Sequence, residues 1–468
     1  MATPSRDARL DELDSERSAL LELSGEIRLG TGTARDHLAT LSRSRFASHA
    51  YRTPHHRPYL QPRGGFPTTA RQRELTLAFH EAGADFIPLT VDSHTRHNDY
   101  AAAARHLKTG VAEGRDLLNG YPLIAHGHLA TRELYQGVDR PVSLRHGTPD
   151  ARLLVETALA AGITDIEGGG LCYTLPYSRD YPLDQALMHW QYVDRLCAVS
   201  GPPGLPVHRE SFGPLTATLV PPAIVVAVQL CELLLAAEQG VTSFSVGFGH
   251  TGSLEQDLAT ARVLRDRASA LLARFGFADV HVSLVYHQWM GAFPVEASLA
   301  WQLIAVCATA AALMRADKVV VKTPEEALGI PSVEANSAAV RAVRYVLDMF
   351  PEGGSLTGET VDEEAALIGS EVDRVLEHVF DDPSPAFAQS VFRAVLAGVI
   401  DVPFAPHEQN ASRLVTDRGA GRRIRILDPG SVPVSASDLR RERQLAGSGR
   451  PQEGPLWERL LNDLRVLA

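Results

Sequence analysis

The chain has 468 residues, 45% of them hydrophobic and 22% charged, with a formal net charge of −11. This is an enzyme-like globular composition, long enough for one large domain with additions or for two domains. The acidic balance argues against a general nucleic-acid binder, which concentrates Lys and Arg to neutralise phosphates. No uninterrupted apolar run reaches the about 18–20 residues that a membrane span needs. The most apolar stretch, "LVPPAIVVAVQLCELLLAAEQG", is interrupted by Pro221 and Pro222, carries Glu232 and Glu238, and reads as a buried helix. Cys172, Cys197, Cys231 and Cys307 are far apart and form no C-x-x-C, so free thiols are expected rather than disulfides or a zinc site. The N-terminus is charged, with no apolar signal core, which makes the cytoplasm the expected location.

From residue 8 to 42 apolar and charged residues alternate at helical spacing, and the expectation is an N-terminal helical arm spanning 1–52. From about 57 to 324, within an expected barrel domain of 53–345, one theme repeats: a short β-rich run, a Gly-rich or polar loop, then a helix. The candidate strands lie in "YLQPRGG", "DFIPLTVD", "PLIAHG", "PVSLRHG", "ITDIEGGG", "LPVHRESFG", "TSFSVGFG", "VHVSLVYHQ" and "KVVVKTP". Alternation of this kind predicts parallel strands with helical crossovers. Nine candidates suit a (βα)8 barrel with one of them outside it; an open doubly wound sheet is the alternative. Polar residues end many different strands: Arg63, Asp92, Arg96, Arg145, His146, Glu167, Glu210, His287 and Lys322. A closed barrel brings such ends to one mouth, where the active sites of this fold lie. Beyond the barrel, residues 346–468 read as a mostly helical α+β addition. It contains a β-like run "GRRIRILDPGSVPV", a charged helix, a Gly/Pro/Ser-rich link at 447–455 and a terminal helix "LWERLLNDLRVLA".

Three of the strand-end residues are arginines: Arg63 in "QPRGG", Arg96 in "HTRHN" and Arg145 in "LRHGTPD". A guanidinium is always charged and offers a planar fork that matches a carboxylate. Three at one mouth suit a small dianion, although each could instead pair with a nearby acid. In "EGGGLCYTLPYS", Gly168, Gly169 and Gly170 allow close backbone approach, Glu167 could accept from an ammonium or act as a base, and Tyr173 and Tyr177 could donate to a carboxylate. Lys322 could form a Schiff base, pair with Glu326 four residues on, or hold a ribose or phosphate. Gly247, Gly249 and Gly252 spell G-x-G-x-x-G, but the next strand ends at Tyr286 and His287 without a ribose-binding acid, so close backbone packing is the expected reason for these glycines.

The runs "QPRGG", "GADFIPLTVDSHTRHN", "LLNGYP", "RHGTPDAR", "EGGG", "WQYVDRL", "FGPLT", "LLAAEQGV", "HQWMGAFP" and "VVVKTPEEALGIP" occur in order between about residues 60 and 440, and together they resemble the large (epsilon) subunit family of glutamate mutase, also called methylaspartate mutase. The resemblance implies an isomerase: an adenosylcobalamin-dependent radical rearrangement of L-glutamate to (2S,3S)-3-methylaspartate. It implies that Arg63, Arg96 and Arg145 grip the substrate carboxylates with His146 beside them. Glu167 would stand near the substrate amino group, and Tyr173 and Tyr177 would touch the substrate. Gly65, Asn119, Pro176, Phe293 and Ile330 would line the cobalamin, while Lys322 and Glu326 would hold the adenosyl ribose. It also implies a heterotetramer of two large subunits and two small cobalamin-binding ones. The stretch "LTVDSHTRHN" begins like the D-x-H-x-x-G that ligates cobalt, but His97 stands where Gly is required. The cobalt-ligating His is therefore expected from a partner carrying that motif. One departure is His94, where the family usually has Tyr. The rival readings are a related cobalamin mutase acting on another acidic substrate, a cofactor-independent barrel lyase using Lys322, and a non-catalytic scaffold.

Overall fold

The structure is a computed structural model, which describes residues 6–23, 33–211, 219–350, 356–381, 386–447 and 456–468. The run "FGPLT", part of the N-terminal arm and most of the link at 447–455 lie outside the described residues.

Eight strands form one parallel sheet: β1 (Tyr59–Gln61), β2 (Ile87–Thr90), β3 (Val142–Arg145), β4 (Asp165–Glu167), β5 (His208–Glu210), β6 (Ser243–Gly249), β7 (His281–His287) and β8 (Lys318–Val320). β2 to β8 are neighbours in chain order, and β8 returns to pair with β1. The seam between β1 and β2 is closed by looser bonds. The Asp85 and Phe86 amides donate to the Leu60 carbonyl (2.9 and 3.1 Å), the Asp85 carboxylate accepts from the Leu60 amide (3.0 Å), and the Thr90 amide donates to the Gly64 carbonyl (3.2 Å). With helices between the strands, this is the expected (βα)8 barrel.

The ninth candidate, "PLIAHG", is the one outside the barrel. It lies in the helix Leu123–Glu133, where Leu123 and Ile124 are buried and Gly127 breaks the helical geometry at φ 74°. A short apolar run next to Pro and Gly does not distinguish strand from buried helix. The helix Pro222–Glu238 is buried along nearly its whole length, which explains its apolar composition without a membrane. Among the described residues no helix is long and apolar enough to cross one. All four cysteines are buried free thiols.

The N-terminal region packs on the barrel. Helix Arg6–Leu23 is tied to it by Arg17–Glu156 and Arg195–Glu16 ion pairs (both 2.7 Å). Helix Ala47–Arg52 closes the barrel's amino end, with Tyr51 against His208 (ring centroids 4.6 Å apart) and Phe86. After β8 the helix Val333–Asp348 completes the barrel's outer ring, so the boundary expected at 345 falls inside its last turn. The addition contains helix Glu359–Phe380, packed on two barrel helices. It also contains an antiparallel pair, β9 (Val415–Arg418) and β10 (Ile424–Asp428), and the helices Ala436–Leu445 and Leu456–Leu464.

Candidate functional site

The barrel interior is polar, and this determines the chemistry at its mouth. Side chains alternate along a strand, so residues two apart share a face. Asp165 and Glu167 of β4 and His208 and Glu210 of β5 all point inward, with Lys318 opening β8. Lys318, fully buried, lies 2.5 Å from Glu210 Oε2, 3.1 Å from Asp165 and 2.7 Å from Gln61 Oε1. The other oxygen of Glu210 accepts from Arg145 Nη1 at 3.0 Å. Arg145 Nε in turn pairs with Glu167, whose second oxygen accepts from the Tyr173 hydroxyl. Charges therefore alternate from the barrel centre to its mouth, and carboxylates outnumber cations three to two along this path. Burial pushes the Glu167 carboxyl up from 4.5 to about 7; Arg145 opposes the rise and Glu210 adds to it.

The three arginines do converge, but they are not equivalent. Arg145 has two of its nitrogens engaged by carboxylates and keeps Nη2 buried without a hydrogen-bond partner among the described residues. Arg96 sits in the short helix Ser93–Arg96, capped by Asp92, which accepts from the His94 and Thr95 amides (2.9 and 3.1 Å). Its Nε donates to the Val91 carbonyl at 3.0 Å, and the guanidinium lies within electrostatic reach of Arg63, Tyr173 and Tyr177. Burial and then the neighbouring Arg63 lower its proton affinity, so two guanidiniums crowd each other there. Arg63 Nη1 rests 3.8 Å from Met290 Sδ. Neither Arg63 nor Arg96 forms an ion pair among the described residues, and two cations held close are the arrangement that attracts an anion.

His146, expected beside the arginines, is held by the backbone. Both ring nitrogens serve the backbone: Nε2 lies 2.8 Å from the Glu167 carbonyl, and Nδ1 accepts from the Thr148 amide at 3.2 Å. The ring stacks on Trp190 (5.7 Å, 9°), and burial holds its pKa down at about 3, so it stays neutral and props Glu167. Tyr173 is buried, whereas Tyr177 is 44% exposed at the rim, with its ring 6.0 Å from that of Tyr173.

Two supports of Glu167 were not foreseen. Arg209 donates to the carbonyls on both sides of it, Ile166 (2.6 Å) and Gly168 (3.0 Å), while pairing with Asp194 (2.6 Å) and stacking on Trp190 (4.7 Å). Glu232 accepts from the Leu171 and Cys172 amides (2.7 and 2.9 Å), and a Cβ on Gly169 would stand 2.3 Å from its carboxyl, so only glycine fits. The visible signal was an Arg and a Glu inside otherwise buried elements, where a charge must have a partner.

Beside the carboxylate–arginine cluster, Lys322 Nζ pairs with Glu326 at 2.8 Å and lies 6.0 Å from the Phe293 ring centroid. Burial, then Arg63, pull the Lys322 pKa down to about 8, with Glu326 opposing. Around this pair the rim is apolar and open: Val295, Leu299, Leu328 and Ile330 are all more than half exposed, while Phe293 is buried. Gly65 backs onto the Thr90 carbonyl, where a Cβ would fall at 2.2 Å. Pro176 lies half-buried beside Tyr177, and the exposed Asn119 accepts the Ser93 amide at 2.9 Å. His94 bonds His106 (2.8 Å between ring nitrogens). Gly247, of the G-x-G-x-x-G run, is pressed against the Val285 carbonyl, which accords with close packing.

The description "Methylaspartate mutase E chain (MutE)" belongs to a sequence family that matches residues 43–451. The chain is similar to the glutamate mutase epsilon subunit of Desulfitobacterium hafniense, 41% identical over 87% of this chain and 85% of that one. It is also similar to those of Treponema denticola (40%, over 81% and 78%) and Yersinia enterocolitica (39%, over 87% and 85%).

Proposed function

The chain belongs to the methylaspartate mutase E-chain family, and from that premise we propose that it is the catalytic subunit of an adenosylcobalamin-dependent glutamate mutase, an isomerase that rearranges L-glutamate to (2S,3S)-3-methylaspartate in the cytoplasm. The observation that carries this reading is the charge pattern of the mouth: the crowded Arg63 and Arg96, the Nη2 of Arg145 that lacks a hydrogen-bond partner among the described residues, and the proton-hungry carboxyl of Glu167. L-glutamate presents the complement, two carboxylates and one ammonium. Arg63 and Arg96 receive one carboxylate on paired donors, and Arg145 Nη2 reaches toward the other. Glu167, fixed by Arg145, Tyr173 and the Arg209 clamp, accepts from the ammonium. His146 positions Glu167, and Tyr177 closes over the substrate from the rim.

Adenosylcobalamin, when bound, supplies the hydrogen-atom abstraction that opens the substrate to rearrangement; the protein orients and shields. The residues present fit such a group. Lys322 and Glu326 offer a donor and an acceptor side by side, as the two hydroxyls of a ribose require. Gly65, Asn119, Pro176, Phe293 and Ile330, with the exposed apolar side chains near Ile330, offer a broad surface for a flat macrocycle. The cobalt-ligating His comes from a small partner subunit with D-x-H-x-x-G, in a heterotetramer of two large and two small subunits. The test is reconstitution with a glutamate-mutase small subunit, adenosylcobalamin and L-glutamate, followed by proton NMR. The expected result is 3-methylaspartate. No product from a small subunit proven active with another large subunit would overturn the reading.

Two substitutions probe the parts. Lys322→Met is expected to weaken cofactor binding at least about tenfold, since a charge-assisted hydrogen bond contributes about 1.5–3 kcal/mol. Titrating the assembled complex with adenosylcobalamin measures this; unchanged affinity, with a borohydride-trapped adduct on Lys322 in the parent protein, would favour the lyase. Glu210→Gln removes one cause of the raised Glu167 proton affinity and leaves Arg145 wholly to Glu167. The acid limb of kcat/KM is expected to move to lower pH, and an unmoved limb would dissociate Glu210 from that control.

A further inference from the structure

The C-terminal addition reaches the barrel mouth. In β9, the Thr416 hydroxyl donates to the Leu219 carbonyl (2.7 Å), in the connection after β5. Arg418, at the end of the same strand, donates through Nη1 to the Thr251 carbonyl, in the loop after β6. Its Nε pairs with Asp463 of helix Leu456–Leu464. The same helix sends Arg459 Nη2 to the Thr416 carbonyl (2.5 Å), and its Leu464 carbonyl accepts the Ala292 amide (2.7 Å), in the loop after β7. Three consecutive strand-to-helix connections are thus tied to one small unit. Beyond the helix, Val466 and Leu467 pack against the core.

The β7 loop is the consequential contact. It carries Met290, against Arg63, and Phe293, beside Lys322. Trp289 is buried within it and donates to the Ala292 carbonyl (3.0 Å). At Gly291 a Cβ would stand 2.4 Å from the Trp289 ring and 2.7 Å from the Leu464 carbonyl, so the loop and helix meet at backbone distance. The Arg418–Asp463 pair that holds the helix is itself nearly buried, with 9% and 2% side-chain exposure. Removing one partner of such a pair leaves the other charge desolvated and uncompensated. The family match ends at 451, short of this helix.

We propose that helix Leu456–Leu464 is a positioning strap: through Leu464 and the Arg418–Asp463 pair it fixes the β7 loop, residues 288–293, and so sets Met290 against Arg63 and Phe293 beside Lys322 for ligand binding at the mouth. The helix itself touches no ligand, and Asp463 and Leu464 are positioning residues. The effect on the cofactor rests on the mutase reading; the effect on the loop does not.

The test is Asp463→Ala in the full chain, with Asp463→Asn as a milder variant that keeps the side-chain volume should the first fail to fold. Hydrogen exchange is read at the Ala292 amide, which the strap protects, and at β7 amides as an internal reference. Exchange at Ala292 is expected to quicken at least about tenfold while β7 is unchanged, the signature of local opening. In the complex with the small subunit, the dissociation constant for adenosylcobalamin is expected to rise about fivefold or more, as loop ordering is added to the cost of binding. Ala292 exchange that is unchanged, or that quickens only together with β7, overturns the strap. So does a local quickening with unaltered cofactor affinity. A parent complex that binds no cobalamin overturns the mutase reading instead, while the exchange result still decides whether the helix holds the loop.

Discussion

Arg96→Lys is expected to lower kcat/KM for L-glutamate by about 10- to 150-fold, the equivalent of one charge-assisted hydrogen bond of about 1.5–3 kcal/mol. The wild-type side chain uses Nε to hold the Val91 carbonyl, and its guanidinium lies within electrostatic reach of Arg63, Tyr173 and Tyr177. Lysine has no Nε and no fork, so it loses both the anchor and the paired donors. The fold is expected to tolerate the change, because Arg96 makes no ion pair among the described residues and is crowded by Arg63. Steady-state kinetics beside a thermal melt separate the two effects. Unchanged kinetics would remove Arg96 from the grip, and an equal loss of melting temperature would make it structural.

Glu167→Gln carries the largest expected effect, a fall in kcat of about 100-fold or more, on the scale of losing a positioned acid–base group. Its signature lies in the pH dependence. The parent kcat/KM is expected to rise as pH passes through about 7, because the carboxyl must ionise to receive an ammonium. The variant is expected to lose that limb. Stability carries the opposite sign. A carboxyl raised from 4.5 to about 7 on folding binds its proton more tightly in the folded chain. Its contribution is therefore complete below about 4.5 and is lost as pH rises to about 7. Burial also raises Glu442 to about 7 in both proteins, so melting temperatures across that window are expected to fall with pH in each, and less steeply in the variant. A parent limb that persists in Glu167→Gln would assign the titration to another group.

The alternation of short apolar runs with helices was enough to read parallel strands with helical crossovers, and the polar residues ending many different strands favoured a closed barrel over an open sheet. The exception, "PLIAHG", shows where the pattern ends: over six residues, strand and buried helix have the same composition, and packing decides. The three arginines were legible because a forked cation at or just after a strand is conspicuous, although only Arg145 ends its strand and Arg96 lies in a short helix beyond β2. His146 was legible only as a neighbour; its service to the Glu167 carbonyl depends on a backbone contact 21 residues away.

The sequence by itself determined that the strands are parallel, that chemically useful side chains end them, and that its D-x-H-x-x-G look-alike has His97 where Gly is needed. These are local properties, carried by residue type and spacing. Only the tertiary structure decided that Arg145 is already engaged by Glu167 and Glu210, that Lys318 lies beneath them, that Arg209 clamps the backbone around Glu167, and that a C-terminal helix holds the β7 loop. The physical reason is that charge and hydrogen bonding act through distance and burial. Lys318 meets Asp165 across 153 positions of chain, and no spacing rule links residues that only the closed barrel brings together.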